Sequence, residues 1–306
     1  MSDIRFARAA SRPVARGRYR TRMRVGVILW PIGSWSETRE QWLAAESLGF
    51  DVAWVYDHVA WRGITPWQDA YATLAAAAVE TSRIRIGTLV TSPNFRHPLP
   101  TAHAVRAIDD LSGGRLDLGI GAGGTRRTSD AGILDDVEWP PAERADRFAE
   151  WVELMDLLLR GPRTTFRGRF WSAYDAPTEP GCVQRPRVPF AIAGGGPRGM
   201  RLAARYADTW ITLGSTRPGV SCFDAVRAQL PRLDEACEAE GRTVRRLLRT
   251  GDPDEPWMDS IESYRDLAGR YAELGITDLA LHWPHERSPF ASDLKVLEQI
   301  AAERTA

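Results

Sequence analysis

"RIRIGTLVTSPNFRHPLPTAHAVRAIDDLSGGRLDLGIGAG", residues 83–123, decides how the fold is read. A short apolar run rich in β-branched side chains, residues 83–90, reads as a buried strand. Residues 99–112 carry a helical pattern closed by Gly113 and Gly114, and glycine suits the left-handed position after a helix. A second apolar run, residues 115–123, reads as the next strand. Strand, helix and strand in succession is the unit of α/β architecture.

The alternation extends in both directions. Further strands are expected at residues 23–30, 51–57, 188–196, 208–214, 244–250 and 278–283, each followed by a helical pattern. The first of these helices has Ser36 as its expected N-cap and Gly49 beyond its end; a later one, residues 223–241, is expected to bend near Pro231. Residues 164–187 mix Gly, Pro and aromatic side chains without a helical period and read as a hairpin-like insertion. Eight strands, each with its helix and no linker-like break, predict an α/β fold: a single-domain (β/α)8 TIM barrel over residues 23–306, with an insertion between strands 4 and 5. An open doubly wound sheet is the alternative.

Composition narrows the function classes. The 306 residues are 43% hydrophobic and 26% charged, the balance of a soluble globular chain. No apolar run approaches the roughly 20 residues that span a bilayer, so no membrane partner is expected. The formal charge of zero hides an asymmetry: residues 1–22 carry seven arginines and one acid, leaving the remainder at −6. We expect residues 1–22 to form a disordered Arg-rich tail ahead of the barrel and the mildly acidic body to have no nucleic-acid partner. Cys182, Cys222 and Cys237 form no CxxC and read as reduced thiols of a cytoplasmic protein. Of the 40 basic side chains only Lys295, in the last helical pattern, is a lysine, which leaves no candidate for a Schiff-base or P-loop lysine.

In a TIM barrel the C-terminal strand ends carry the site. Asp57 and His58 end the second strand, and an imidazole at such a tip can move a proton beside a redox group. Asp57 is placed to orient it or to bind a cofactor ring N–H. "GIGAGG" (119–124) and "IAGGGP" (192–197) follow two other strands; their backbone amides suit a phosphate, although neither completes a P-loop or a dinucleotide fingerprint. His97, before Pro98, reads as structural. Trp30, Trp61, Trp67 and Trp283 fall near strand tips as candidate pocket walls, and Trp42 and Trp151 read as core. His282 and His285 lack a carboxylate or thiolate at ligand spacing, so no metal is expected. No G-x-S-x-G element supports hydrolysis.

Four stretches, "LGFDVAWVYDH", "TSRIRIGTLVTSPNFRHP", "IDDLSGGRLDLGIGAG" and "VQRPRVPFAIAGGGPRGMRLAARYADTW", resemble in order and spacing the bacterial luciferase-like superfamily, from Met23 to about Gly214. The resemblance implies a (β/α)8 barrel, usually a homodimer, that uses FMN or the deazaflavin coenzyme F420. A D-H pair such as Asp57-His58 resembles the F420 branch, with Asp near the cofactor and His in proton transfer. It further implies a cis peptide at Leu89-Val90, with Leu89, Val90 and Thr91 backing the ring. Gly121 and Gly123 match a ring-side turn, and Gly194, Gly195 and Gly196 a phosphate-binding turn. This chain departs from the sugar-phosphate dehydrogenases of that branch: Gly124 stands where they place Glu, their phosphate-binding lysines have no counterparts, and "TRRTSDAGILDDVEWPP" lacks W-x-x-E-F.

The expected function is an F420-dependent oxidoreductase moving a hydride between the deazaflavin and a small organic substrate, with Arg126 and Arg127 toward the cofactor's acidic tail. One alternative is an FMN-dependent monooxygenase fed by a flavin reductase partner. The other is a non-catalytic flavin-binding barrel.

Overall fold

The computed structural model describes residues 22–61, 64–124, 133, 139–215, 219–251, 254–285 and 291–305. The Arg-rich tail through residue 21, and Arg126 and Arg127, lie outside the described residues.

Eight parallel strands close into a barrel in the order β1, β10, β9, β8, β7, β4, β3, β2. They are β1 (Arg24–Leu29), β2 (Val52–Val55), β3 (Arg85–Thr88), β4 (Leu116–Ile120), β7 (Phe190–Ala193), β8 (Thr209–Thr212), β9 (Arg245–Arg249) and β10 (Asp278–His282). The pair β5 (Arg163–Arg167) and β6 (Ser172–Pro177) is an antiparallel hairpin outside the barrel, where the insertion was expected, and β4 pairs directly with β7 across it. The described helices are α1 (Trp35–Ser47), α2 (Ala70–Glu80), α3 (Pro98–Leu111), α4 (Pro141–Arg160), α5 (Pro197–Tyr206), α6 (Cys222–Ala239), α7 (Ile261–Leu274) and α8 (Leu294–Thr305). The barrel order excludes the open-sheet alternative.

Local chemistry sets the helix ends. The cap of α1 is Ser34, two residues before the expected Ser36, because Glu37 returns its carboxylate to the Ser34 backbone N–H at 2.6 Å and completes a capping box. Helix α2 starts on Asp69, whose carboxylate accepts from the Tyr71 and Ala72 amides. Pro98 opens α3, and the His97 imidazole accepts from the Leu99 amide, the structural role read for it. Helix α6 continues through Pro231 as one element.

Packing falls into two layers. The outer layer, between strands and helices, contains Trp42, Trp151 and also Trp283, which therefore faces the helices and not the mouth. The inner layer fills the barrel itself: Ile28, Trp30, Val52, Trp54, Tyr56, Leu89, Ala191, Ile211, Leu247 and Ala280. Trp54 fits inside because its flanking strands carry glycine; a Cβ on Gly26 or Gly87 would lie 2.7 or 2.6 Å from the indole. The N-terminal end is plugged by charge. Arg85 bonds Asp117 at 2.6 Å, Arg245 bonds Asp278 at 2.9 Å, and Arg24 reaches both aspartates.

Candidate active site

The C-terminal end of the barrel is asymmetric. Strands β1, β2 and β10 turn bulky rings inward, whereas β3, β4 and β7 turn inward Gly87, Gly119, Gly121, Ala191 and Ala193. On the bulky side Trp30 meets Trp61 at 5.0 Å, Tyr56 at 5.6 Å and Trp67 at 5.8 Å between ring centroids, all edge to face. The half-buried His58 ring stands edge-on to Trp67 at 5.7 Å. Three of the four predicted wall tryptophans thus sit together beside His58.

The small-residue wall is shaped by the turn after β3. Leu89 N donates to Val55 O of β2, and Thr91 N donates to Gly119 O of β4, so Val90 lies at the changeover between two neighbours. The Leu89–Val90 bond is cis, as the resemblance implies. Gly119 admits this path, since a Cβ there would sit 1.9 Å from Thr88 O. Gly121 faces Val90 and Ala193; its Cβ would lie 2.7 Å from Val90 Cγ2. Gly123 adopts φ +76°, against Asn94.

Asp57 is 1% exposed, and both its oxygens are held. Arg96 donates Nε to Oδ2 at 3.1 Å and Nη2 to Oδ1 at 2.7 Å, while Thr91 Oγ1 donates to Oδ2 at 2.7 Å. Arg96 also binds Asp69 at 2.7 Å, which ties the loop after β3 to the start of α2. Tyr71 Oη lies 2.9 Å from Thr91 Oγ1. Burial pushes the Asp57 carboxyl up, and the guanidinium and hydroxyl act against the rise. Burial, then the Asp57 charge, pushes the Tyr71 phenol up, so it stays a donor into this knot. Arg96 is held above its ordinary value by the two aspartates despite its burial.

A second polar group sits on the bulky side. Tyr56 Oη is 2.7 Å from His282 Nε2, and Arg249 Nη1 donates to the same oxygen at 3.4 Å. Burial, and then the Arg249 charge, hold His282 well below the ordinary imidazole value, so the ring is neutral.

The 192–197 run leads into α5. Gly194 lets strand and helix meet backbone to backbone, since its Cβ would be 2.7 Å from Gly199 Cα. Gly196 caps α5 with Pro197 at the first turn, and a Cβ on Gly196 would meet nothing within 4 Å. The approach to the first turn of α5 is therefore open on the Gly196 side, with the positive end of the helix behind it. A Cβ on Gly195 would touch Gln229 Nε2 at 3.3 Å, and Gln229 also bonds Thr212 and Gly214, bracing the adjoining loop. A cavity of about 770 Å³ between α6 and α7 is lined by Asp224, Asp254, Glu255, Glu262 and Asp266; its charge is wrong for a phosphate. No cluster of metal-binding side chains occurs among the described residues.

The structure thus brings His58, Val90, Gly121 and the α5 terminus to one rim and places Asp57 beneath it. Sequence reading passed over Arg96, Tyr71 and Arg249. Arg249 had a usable signal, lying two residues beyond the inward-facing Leu247.

Known proteins place this architecture. An F420-dependent glucose-6-phosphate dehydrogenase of Kineococcus radiotolerans is 32% identical over 275 residues, covering 84% of this chain and 75% of that protein. Another of the same name, from Microbacterium testaceum, is 33% identical over 65% of this chain and 57% of its own length, so the chain spans little more than half of that relative. In structure, the coenzyme F420-dependent tetrahydromethanopterin reductase of Methanopyrus kandleri superposes with a TM-score of 0.74, at 20% identity, over 92% of this chain and 98% of its own; that likeness speaks for the fold. The family described as luciferase-like monooxygenase matches residues 14–282, and the chain belongs to it.

Proposed function

We propose that the chain is a coenzyme F420-dependent oxidoreductase that transfers a hydride between the deazaflavin and a small organic substrate. The observation that carries this reading is the make-up of the mouth: His58 stands edge-on to Trp67 among aromatic rings at the end of β2, while the ends of β3, β4 and β7 bring Val90, Gly121 and Ala193 together as a wall of small side chains. The N-terminal end of α5, with its helix dipole and an open side at Gly196, suits the anionic part of such a cofactor. The D-H pair and the F420-dependent relatives support the deazaflavin over FMN.

Gly121, Val90 and Leu89 would hold the ring, and Gly194, Gly195 and Gly196 the phosphate. Bound there, the coenzyme supplies hydride exchange at one ring carbon. The His58 imidazole gives or takes the accompanying proton at the substrate oxygen. Asp57 is a positioning residue: through Arg96 and Thr91 it fixes the loop that carries Val90 against the strand tip that carries His58. Trp30, Trp61 and Trp67 exclude water, which strengthens each polar contact inside. Residues 23–306 act as one catalytic barrel in this reading. A homodimer, the assembly that the resemblance implies, would cover apolar side chains such as Val79 on α2, 64% exposed. A cytoplasmic setting agrees with three buried free thiols. No described helix is long and apolar enough to cross a membrane.

The test is a titration of purified protein with coenzyme F420 and with FMN, followed by turnover assays. Tight binding of F420 with hydride exchange is the expected result. Binding of FMN alone with oxygen consumption, or binding without turnover, overturns the proposal.

A further inference from the structure

The mouth contains a positive charge that the hydride-transfer reading does not use. Arg249 ends β9 with its side chain directed inward, on the same face as Leu247 of the inner core. Among the described residues its hydrogen bond goes to a neutral acceptor, Tyr56 Oη, at 3.4 Å. Other arginines directed into the two ends of the barrel meet carboxylates, and Arg115 and Arg242, outside it, are held by several backbone carbonyls each. Arg96 holds two carboxylates, and Arg24, Arg85 and Arg245 share Asp117 and Asp278. Beside Arg249 the buried groups are the Tyr56 phenol and the His282 imidazole, 8% and 3% exposed. The ring of Tyr56 lies 5.9 Å from that of His282 and 6.1 Å from that of His58, so the arginine is one aromatic ring away from the proposed proton-transfer residue.

Arg249 is half-buried beside these rings and has no carboxylate partner among the described residues, so a ligand that brings the counter-charge offsets the cost of its partial desolvation. Its planar fork matches a planar oxyanion in two parallel hydrogen bonds. From this geometry we infer that Arg249, with Tyr56 beside it, is a substrate-anchoring subsite for a carboxylate, and that the substrate is a carboxylic acid with an aromatic or apolar body. One fixed cation balances a monoanion, whereas a phosphate dianion would leave charge uncompensated. The sole lysine, Lys295, lies in α8 and offers no second cation. The apolar body follows from Trp30, which packs on both Tyr56 and His282 and continues into Trp61 and Trp67. This assignment rests on the proposed function only for its role in turnover; binding can be read without it.

The experiment is calorimetric titration of the wild type, Arg249→Gln and Arg249→Lys with benzoate, benzamide and inorganic phosphate, without and with saturating coenzyme F420. Benzoate should bind the wild type at least about tenfold more tightly than benzamide, the size expected of a charge-assisted pair. The ratio should collapse to about twofold or less in Arg249→Gln and be partly restored in Arg249→Lys. Equal binding of benzoate and benzamide to the wild type, benzoate preference that survives in Arg249→Gln, or, with coenzyme F420 saturating the α5 terminus, phosphate bound more tightly than benzoate overturns the inference. A thermal melt of Arg249→Gln matching the wild type keeps misfolding from imitating the result. The two readings fail separately: loss of F420 binding by the wild type removes the cofactor assignment, while the benzoate-to-benzamide ratio without cofactor still decides the subsite.

Discussion

At the N-terminal end of the barrel Arg24, Arg85 and Arg245 are matched by Asp117 and Asp278, whereas at the C-terminal end Arg249 meets a phenol and His58 stands edge-on to Trp67. Both ends are built from the same eight strands, and the difference lies in what the terminal side chains are matched to. Charges satisfied within the protein serve stability. Those left for a ligand serve function, and in this architecture they sit at the C-terminal end. Substitutions at the two ends should therefore separate stability from activity.

The largest effect is expected from His58→Ala. Removing a proton-transfer group should lower turnover by about 10²–10⁴-fold. Cofactor affinity should stay within about tenfold, and the urea midpoint should not move, because the half-buried ring contributes little core. A large fall in stability with turnover intact would place His58 with the structural end of the comparison.

Arg96→Met breaks the comparison from the other side, since Arg96 is a charge at the mouth that is fully matched. It leaves Asp57 buried with Thr91 as its remaining partner, at a cost of about 3–5 kcal/mol. The penalty should depend on pH. Burial already pushes the Asp57 carboxyl above its ordinary value, and losing the guanidinium sends it further up. A carboxyl whose folded value is raised favours the folded state at acid pH and loses that contribution as pH rises through the folded value. The deficit of the variant in urea melts should thus be larger near pH 8 than near pH 5. Equal deficits would mean that Asp57 does not titrate in that window.

Asp278→Ala tests the plugged end. The aspartate is 5% exposed and serves both Arg24 and Arg245. Those arginine side chains are 27% and 32% exposed, so solvent screens them once freed, and the expected loss is about 2–3 kcal/mol, below that of a wholly buried pair. Turnover measured well below the melting temperature should be unchanged.

The same contrast explains what could be read from the sequence. The barrel was legible because each strand is a short apolar run of its own, and several helix ends carry a local signal such as Gly49 or Gly113. His58 could be singled out as a candidate because a strand tip is a local feature, and the meeting of Trp30, Trp61 and Trp67 because they are large and sit near such tips. The Asp57–Arg96 pair spans 39 residues and the Tyr56–His282 contact spans 226, and no local pattern reports such a meeting. Trp283 misled for a related reason. It follows the inward-facing His282, so strand alternation turns it outward to the helices.

The smallest effects come from two glycines two residues apart, and they sharpen the comparison to a single turn. Gly194 touches the backbone of Gly199, so Gly194→Ala forces strand and helix apart and should cost about 1–3 kcal/mol. Gly196 has an extended φ of −104° and nothing within 4 Å of where its Cβ would lie. Gly196→Ala should leave stability within about 0.5 kcal/mol of the wild type. If that open space is where an anion reaches the α5 amides, the added methyl should instead weaken cofactor binding while the melt is unmoved. A Gly196→Ala protein that binds F420 as the wild type does would move the phosphate away from the α5 terminus and leave the turn a purely structural junction.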